Sequence, residues 1–166
     1  MSENTLKGFA SRLCCRPDAE ARIKGSSKHP DIRGYVRFYR TPKGVLVAAE
    51  IINLPDKGRP AGSGVFGLHI HGGSCCTGNT DDPFADAGMH YNPDKLAHPY
   101  HAGDLPPLFS GCGYALSIFL AYRFSLDEVI GRTVIIHAQP DDFTTQPSGN
   151  SGEKLACGRI NALCGS

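Results

Sequence analysis

The chain has 166 residues and a formal net charge of +1, and 40% of its residues are hydrophobic, a share that suits a globular fold rather than disorder. Near-neutrality leaves no basic surplus for nucleic acid or an anionic membrane surface, and no apolar run approaches the roughly 20 residues that a membrane-spanning helix needs. A chain of this length is expected to form one domain that buries roughly 70% of its unfolded surface.

Residues 1–20, MSENTLKGFASRLCCRPDAE, lack the apolar centre of a secretory signal, which points to a cytoplasmic protein. Leu6, Phe9, Ala10 and Leu13 have helical spacing, and Pro17 would end such a segment. This stretch therefore reads as an arm, a short helix or disordered, ahead of a domain spanning 21–166. Strand patterns then take over. YVRFYR at 35–40 alternates, with Val36 and Phe38 on one face and Tyr35, Arg37 and Tyr39 on the other. VLVAAEIINL (45–54), VFGLHIH (65–71), YALSIFLAYR (114–123), RTVIIHA (132–138) and LACGRI (155–160) also read as strands. Turn-rich stretches at 55–64, 72–113 and 139–154 separate them. Strands without long helical periods predict an all-β sandwich or Greek-key barrel. The 72–113 connection is far longer than a simple turn, and ordered loops of that length usually carry function.

Seven cysteines occur as adjacent pairs at 14/15 and 75/76 and as singles at 112, 157 and 164, with no CxxC. This is not a small-domain disulfide framework; most thiols read as free, with room for one bridge.

The chemistry concentrates in the histidines. His69 and His71 stand two apart on a strand, so their rings share a face and can occupy two positions around one ion. HxH alone is weak. A second cluster, GMHYNPDKLAHPYHAGDLP (88–106), holds His90, His98, His101 and Asp104. Nitrogen and oxygen donors of this kind, without a thiolate, suit Zn²⁺. His137 closes the strand RTVIIH and would join His69 and His71 if those strands are neighbours. Asp141, with Asp142 as its competitor, could accept the second ring N–H of a metal-bound histidine. Either could instead be a turn aspartate. His29 has no comparable company and reads as a surface residue.

GLHIH, HYNP, HPYHAGDLP, GRTVIIHAQPDD and GNSGEKLACG, in that order, resemble the copper/zinc superoxide dismutase family over about residues 21–162. The resemblance implies an eight-stranded Greek-key β-barrel, immunoglobulin-like, with a metal loop and an electrostatic loop on one side. Carried over by motif, His69, His71 and His137 would bind copper, and His90 would bridge copper and zinc. His98, His101 and Asp104 would complete the zinc site. Asp141 matches the aspartate that links a copper histidine to a zinc histidine. The implied activity is dismutation of superoxide to dioxygen and hydrogen peroxide, with copper cycling between Cu(II) and Cu(I) as antioxidant defence. His90 would be catalytic as a proton carrier.

The chain departs from the family in places. Where the family usually has an anion-guiding arginine before LACG, this chain has Lys154. Lysine keeps the charge and loses the planar, multi-donor head. The 138–153 loop is poor in basic residues and carries Glu153, so a shallow dependence of rate on salt is expected. The resemblance also pairs Cys157 with Cys75 or Cys76. It suggests a homodimer through an apolar barrel face near the C-terminus, although the tail GRINALCGS places Arg159 there. Nothing in the sequence identifies a copper-delivery partner. A non-enzymatic copper/zinc-binding or copper-chaperone-like protein is the alternative. Cys14-Cys15 lack the MxCxxC spacing of a chaperone's copper module, and the complete donor set argues against an inactive homologue.

Overall fold

The computed structural model describes residues 6–55 and 64–163. Residues 1–5 of the arm, most of the turn-rich stretch at 55–64 and Cys164 lie outside the described residues. The strands are β1 (Ala19–Gly25), β2 (Arg33–Thr41), β3 (Gly44–Ile52), β4 (Gly64–Phe66), β5 (Leu68–His71), β6 (Leu108–Gly111), β7 (Tyr114–Ala121), β8 (Thr133–His137) and β9 (Lys154–Ala162). Two α-helices are described, α1 (Leu6–Leu13) and α2 (Leu126–Val129), with a short 3₁₀ helix at Ala85–Ala87. The strands form one antiparallel sheet in the order β4-β6-β7-β3-β2-β1-β9-β8-β5.

The two ends of that order are consecutive in sequence and separated only by Gly67. β4 pairs with β6, and β5 pairs with β8. One segment, 64–71, thus closes the sheet into a barrel. The eight expected strands become nine because this segment changes partner halfway. Gly67 marks the change: its N–H donates to the Gln139 carbonyl at 2.8 Å and its carbonyl accepts from the His137 N–H at 2.9 Å. A Cβ there would press on Ser151 at 3.2 Å and His137 at 3.3 Å, so the close approach favours glycine.

Alternation along β2 works as the sequence predicts: Val36 and Phe38 are fully buried, with Phe38 opposite Val47. Arg37 faces outward between Glu20, at 3.0 Å, and Glu50, at 3.7 Å. Tyr39 shares that outward face, as does Leu46 across from it, yet both are buried. α1 accounts for part of this, because the Arg12 guanidinium lies 5.4 Å from the Tyr39 ring centre and Arg12 also pairs with Asp18. The arm is therefore a docked helix over 6–13. The barrel begins at Ala19 rather than at 21, with β1 lying ahead of the first alternating pattern in the sequence. The 72–113 connection likewise ends in an unforeseen strand, β6.

Every residue of β5 and β8 is buried. Leu68 and Ile70 join the barrel core, whereas His69 and His71, out of phase by one residue, point to the opposite face. The loops between β5 and β6 and between β8 and β9 cover that face.

Candidate metal centre

His69 and His71 on β5 meet His137 at the end of β8, because the β5–β8 pairing sets Leu68 opposite Ile136 and His69 opposite Ile135. His90 reaches them from the loop, where an isolated antiparallel bridge joins His71 to His90. Each of these four buried residues offers a ring nitrogen within 4.8 Å of the others. His71 Nδ1 is 2.8 Å from the Gly88 carbonyl and His137 Nδ1 is 3.3 Å from that of Gly152. A carbonyl only accepts, so both Nδ1 atoms carry the proton and both Nε2 atoms present lone pairs. Those two Nε2 atoms lie 3.2 Å apart. Two facing lone pairs repel, and a cation between them removes the conflict.

The second set is His90, His98, His101 and Asp104. It forms where the loop turns back on itself: the Tyr91 N–H donates to the Ile70 carbonyl and the Gly103 N–H to Tyr91, both at 2.8 Å. Asp104 Oδ1 is 2.8 Å from His90 Nδ1 and 3.4 Å from His101 Nδ1, and Oδ2 is 3.0 Å from His98 Nδ1. Burial opposes ionisation of Asp104, but the His90 hydrogen bond and the surrounding imidazoles hold its pKa below the ordinary value. His90 is the residue common to both sets: its Nδ1 lies 2.8 Å from Asp104 Oδ1, and its Nε2 is buried without a hydrogen-bond partner.

Asp141 ties the sets together from behind. Its Oδ2 lies 2.9 Å from His69 Nε2 and its Oδ1 lies 2.8 Å from His98 Nε2. Burial would raise its pKa, yet the His69 hydrogen bond, the Phe143 N–H at 2.7 Å and the His98 contact bring it down to about 2. Asp142, the competitor, is exposed and binds the backbone of Thr144 and Thr145 instead. Histidine protonation is suppressed in the same place: burial lowers His71 to about 3 and holds His137 well below its usual value. Neutral imidazole is the ligand form.

Several contributors had no readable signal. Gln146 clamps His98, accepting from its N–H at 3.0 Å and donating to its carbonyl at 2.7 Å. Gly149 has φ +67°, and a Cβ there would collide with the Asp141 carboxylate and the His98 ring. The carbonyls of Gly88 and Gly152 belong to no side-chain motif, so sequence could not point to them.

Among the described residues, four buried side-chain nitrogens have no hydrogen-bond partner: His69 Nδ1, His90 Nε2, His98 Nδ1 and His101 Nδ1. Each such atom costs on the order of 1–3 kcal/mol when left alone. All four belong to residues of the two sets. Copper fits the four-imidazole set and zinc the His₃Asp set, judged by donor type and by these unpartnered atoms.

Around the centre, Cys76 is bonded to Cys157, with Cα atoms 5.7 Å apart, which settles the partner left open between Cys75 and Cys76. Lys154 donates to Asp82 Oδ2 at 2.6 Å and to the Phe84 carbonyl at 3.1 Å. His29 lies 3.3 Å from Glu153 and joins neither set.

The family model described as copper/zinc superoxide dismutase matches residues 32–160. A Legionella pneumophila protein named superoxide dismutase [Cu-Zn] is 34% identical, over 90% of this chain and 91% of its own length. A Sus scrofa protein named copper chaperone for superoxide dismutase is 32% identical over 96% of this chain, which covers 59% of that protein. Among solved structures, Cu/Zn superoxide dismutase from Brucella abortus aligns with a TM-score of 0.71 at 25% identity, covering 85% of this chain and 98% of that one.

Proposed function

The chain belongs to the copper/zinc superoxide dismutase family, and from that premise we propose the role of each residue in its site. The activity is dismutation: one superoxide anion gives up an electron and leaves as dioxygen, and a second takes that electron and two protons and leaves as hydrogen peroxide. Copper, when bound, supplies the one-electron couple, and zinc supplies a fixed charge without redox chemistry. His69, His71, His90 and His137 would hold copper, and His90, His98, His101 and Asp104 would hold zinc. The single observation that carries this reading is the ring of His90, which belongs to both donor sets, with one nitrogen on Asp104 and the other buried and unpartnered.

The protein groups have separable tasks. Gly88 and Gly152 carbonyls keep His71 and His137 in the tautomer whose Nε2 faces the centre. Asp141 orients His69 and His98 together. His90 Nε2, buried and without a hydrogen-bond partner, is the atom suited to carry a proton to the second anion. Lys154 is the anion guide, its charge held by β9 directly across from His137. The test is superoxide removal measured with copper and zinc counted per chain on one sample. Stoichiometric metal with no dismutation would overturn the assignment and favour the chaperone-like reading. Lys154→Arg is expected to raise kcat/KM about threefold, because a planar fork can keep the Asp82 contact and still offer donors to an anion. An unchanged or lower value would remove Lys154 from that role.

We also propose a homodimer, but not through the C-terminal strand. The outward side chains of β9 near its end, Arg159 and Asn161, are polar and exposed. An exposed apolar group lies instead on β6 and β7: Phe109, Tyr114, Leu116 and Ile118. Leu116→Asp should halve the mass measured by light scattering. A monomeric parent would contradict this proposal. A cytoplasmic location is proposed as well, since Cys14, Cys15 and Cys75 carry free, exposed thiols that suit a reducing compartment, the Cys76–Cys157 bridge being an exception to the rule that cytosolic thiols stay reduced. Cell fractionation tests it.

A further inference from the structure

Lys154 does not stand alone beside the metal centre. Its side chain is only 15% exposed, and its ammonium is held by the Asp82 carboxylate at 2.6 Å and the Phe84 carbonyl at 3.1 Å. An ammonium has three N–H donors, so two are engaged and one is left for an anion. The acid is itself fixed. Asp82 Oδ1 accepts the Phe84 N–H at 3.0 Å, and the Asp82 N–H donates to Asn79 Oδ1 at 2.9 Å. That turn leads into Phe84 and Ala87, which pack with Ile135, Cys157 and Cys76 around the disulfide. The carboxylate is thus built onto a platform cross-linked to the strand that carries Lys154.

The electrostatic consequence runs against steering. A lysine paired at this distance with an aspartate is neutral as seen from a Debye length away, about 10 Å at 0.1 M salt. Its neighbours add little positive charge: among the described residues lining the same small groove as Asp82 and Lys154, the acids Asp81 and Glu153 are joined by one further cation, Lys28. Glu153 is 3.3 Å from His29.

Resting on the reading of Lys154 as the anion guide, we infer that Asp82 is a positioning residue for it, one that holds the ammonium in place at short range while cancelling its attraction at long range. Asp82 belongs to neither donor set, and its ion pair is with Lys154. Superoxide would approach by nearly unguided diffusion and meet an already oriented N–H.

Asp82→Asn separates the two effects, because an amide oxygen can still accept from the Phe84 N–H while the charge is gone. The variant is expected to react about threefold faster with superoxide at about 10 mM ionic strength, to lose rate more steeply with added salt, and to fall below the parent above about 0.2 M, where screening leaves only the lost hold on the ammonium. Asp82→Glu, which keeps the charge, should restore the shallow salt slope. In metal-free protein, amine acylation mapped by mass spectrometry should label Lys154 slowly in the parent and several-fold faster in Asp82→Asn. A parallel salt slope, or Lys154 labelling equal in the two proteins, would overturn the inference; the labelling arm decides it even if the variant takes up metal poorly. Lys154→Gln keeps the two readings apart. If it leaves the rate intact, the anion-guide role fails; if it slows the rate while Asp82→Asn leaves the slope unchanged, only the role of Asp82 fails.

Discussion

Replacing His90 by alanine is expected to lower superoxide dismutation by well over a hundredfold and to disturb both metals at once. Loss of an orienting partner outside the ligand set typically costs 10–100-fold in affinity or activity, and His90 is common to both donor sets. Its removal leaves three imidazoles in one set and two imidazoles with a carboxylate in the other. It also removes the shortest imidazole contact of Asp104, that of His90 Nδ1 on Oδ1 at 2.8 Å, in a pocket where burial disfavours the carboxylate. Copper and zinc counted per chain, with the rate constant measured on the same sample, check the result. A variant that keeps full zinc and wild-type activity would show that the shared ring has no function. His29→Ala is the control: His29 lies in neither set, and neither metal content nor rate should change.

Cys157→Ser is expected to destabilise the fold by about 4.5 kcal/mol on the loop-entropy model, given the 81-residue separation of Cys76 and Cys157. For a domain of this size each kcal/mol shifts Tm by about 2–4 °C, so a fall of roughly 9–18 °C follows. The loss should also loosen the cluster of Phe84, Ala87 and Ile135, and with it the platform under Asp82. Cys157 is the position to change, because Cys76→Ser leaves Cys75 next to the vacated site as a substitute partner. Thermal unfolding of the oxidised parent, the reduced parent and the variant provides the check. Reduced parent and variant should coincide, and an unshifted variant would mean that the bridge contributes nothing to stability.

Much of this protein could be read without coordinates. Period-two alternation over YVRFYR, the β-branched runs and the two-residue spacing of His69 and His71 are local consequences of a pleated chain, so they fixed strand identity and which rings share a face. The donor chemistry of His90, His98, His101 and Asp104 was equally legible, because ligand type is a property of the side chain alone. Partner choice was not. Gly67 divides one strand between two neighbours, and only closure of the whole barrel makes that necessary. Cys76 and not Cys75 meets Cys157, because the loop's path turns Cys76 toward β9 and leaves Cys75 exposed. Asp141 prevails over Asp142 for the same reason, one being turned inward to His69 and His98 and the other outward to Thr144 and Thr145. Local covalent geometry settled which groups could act. Long-range pairing, invisible in any short window of sequence, decided which of them meet.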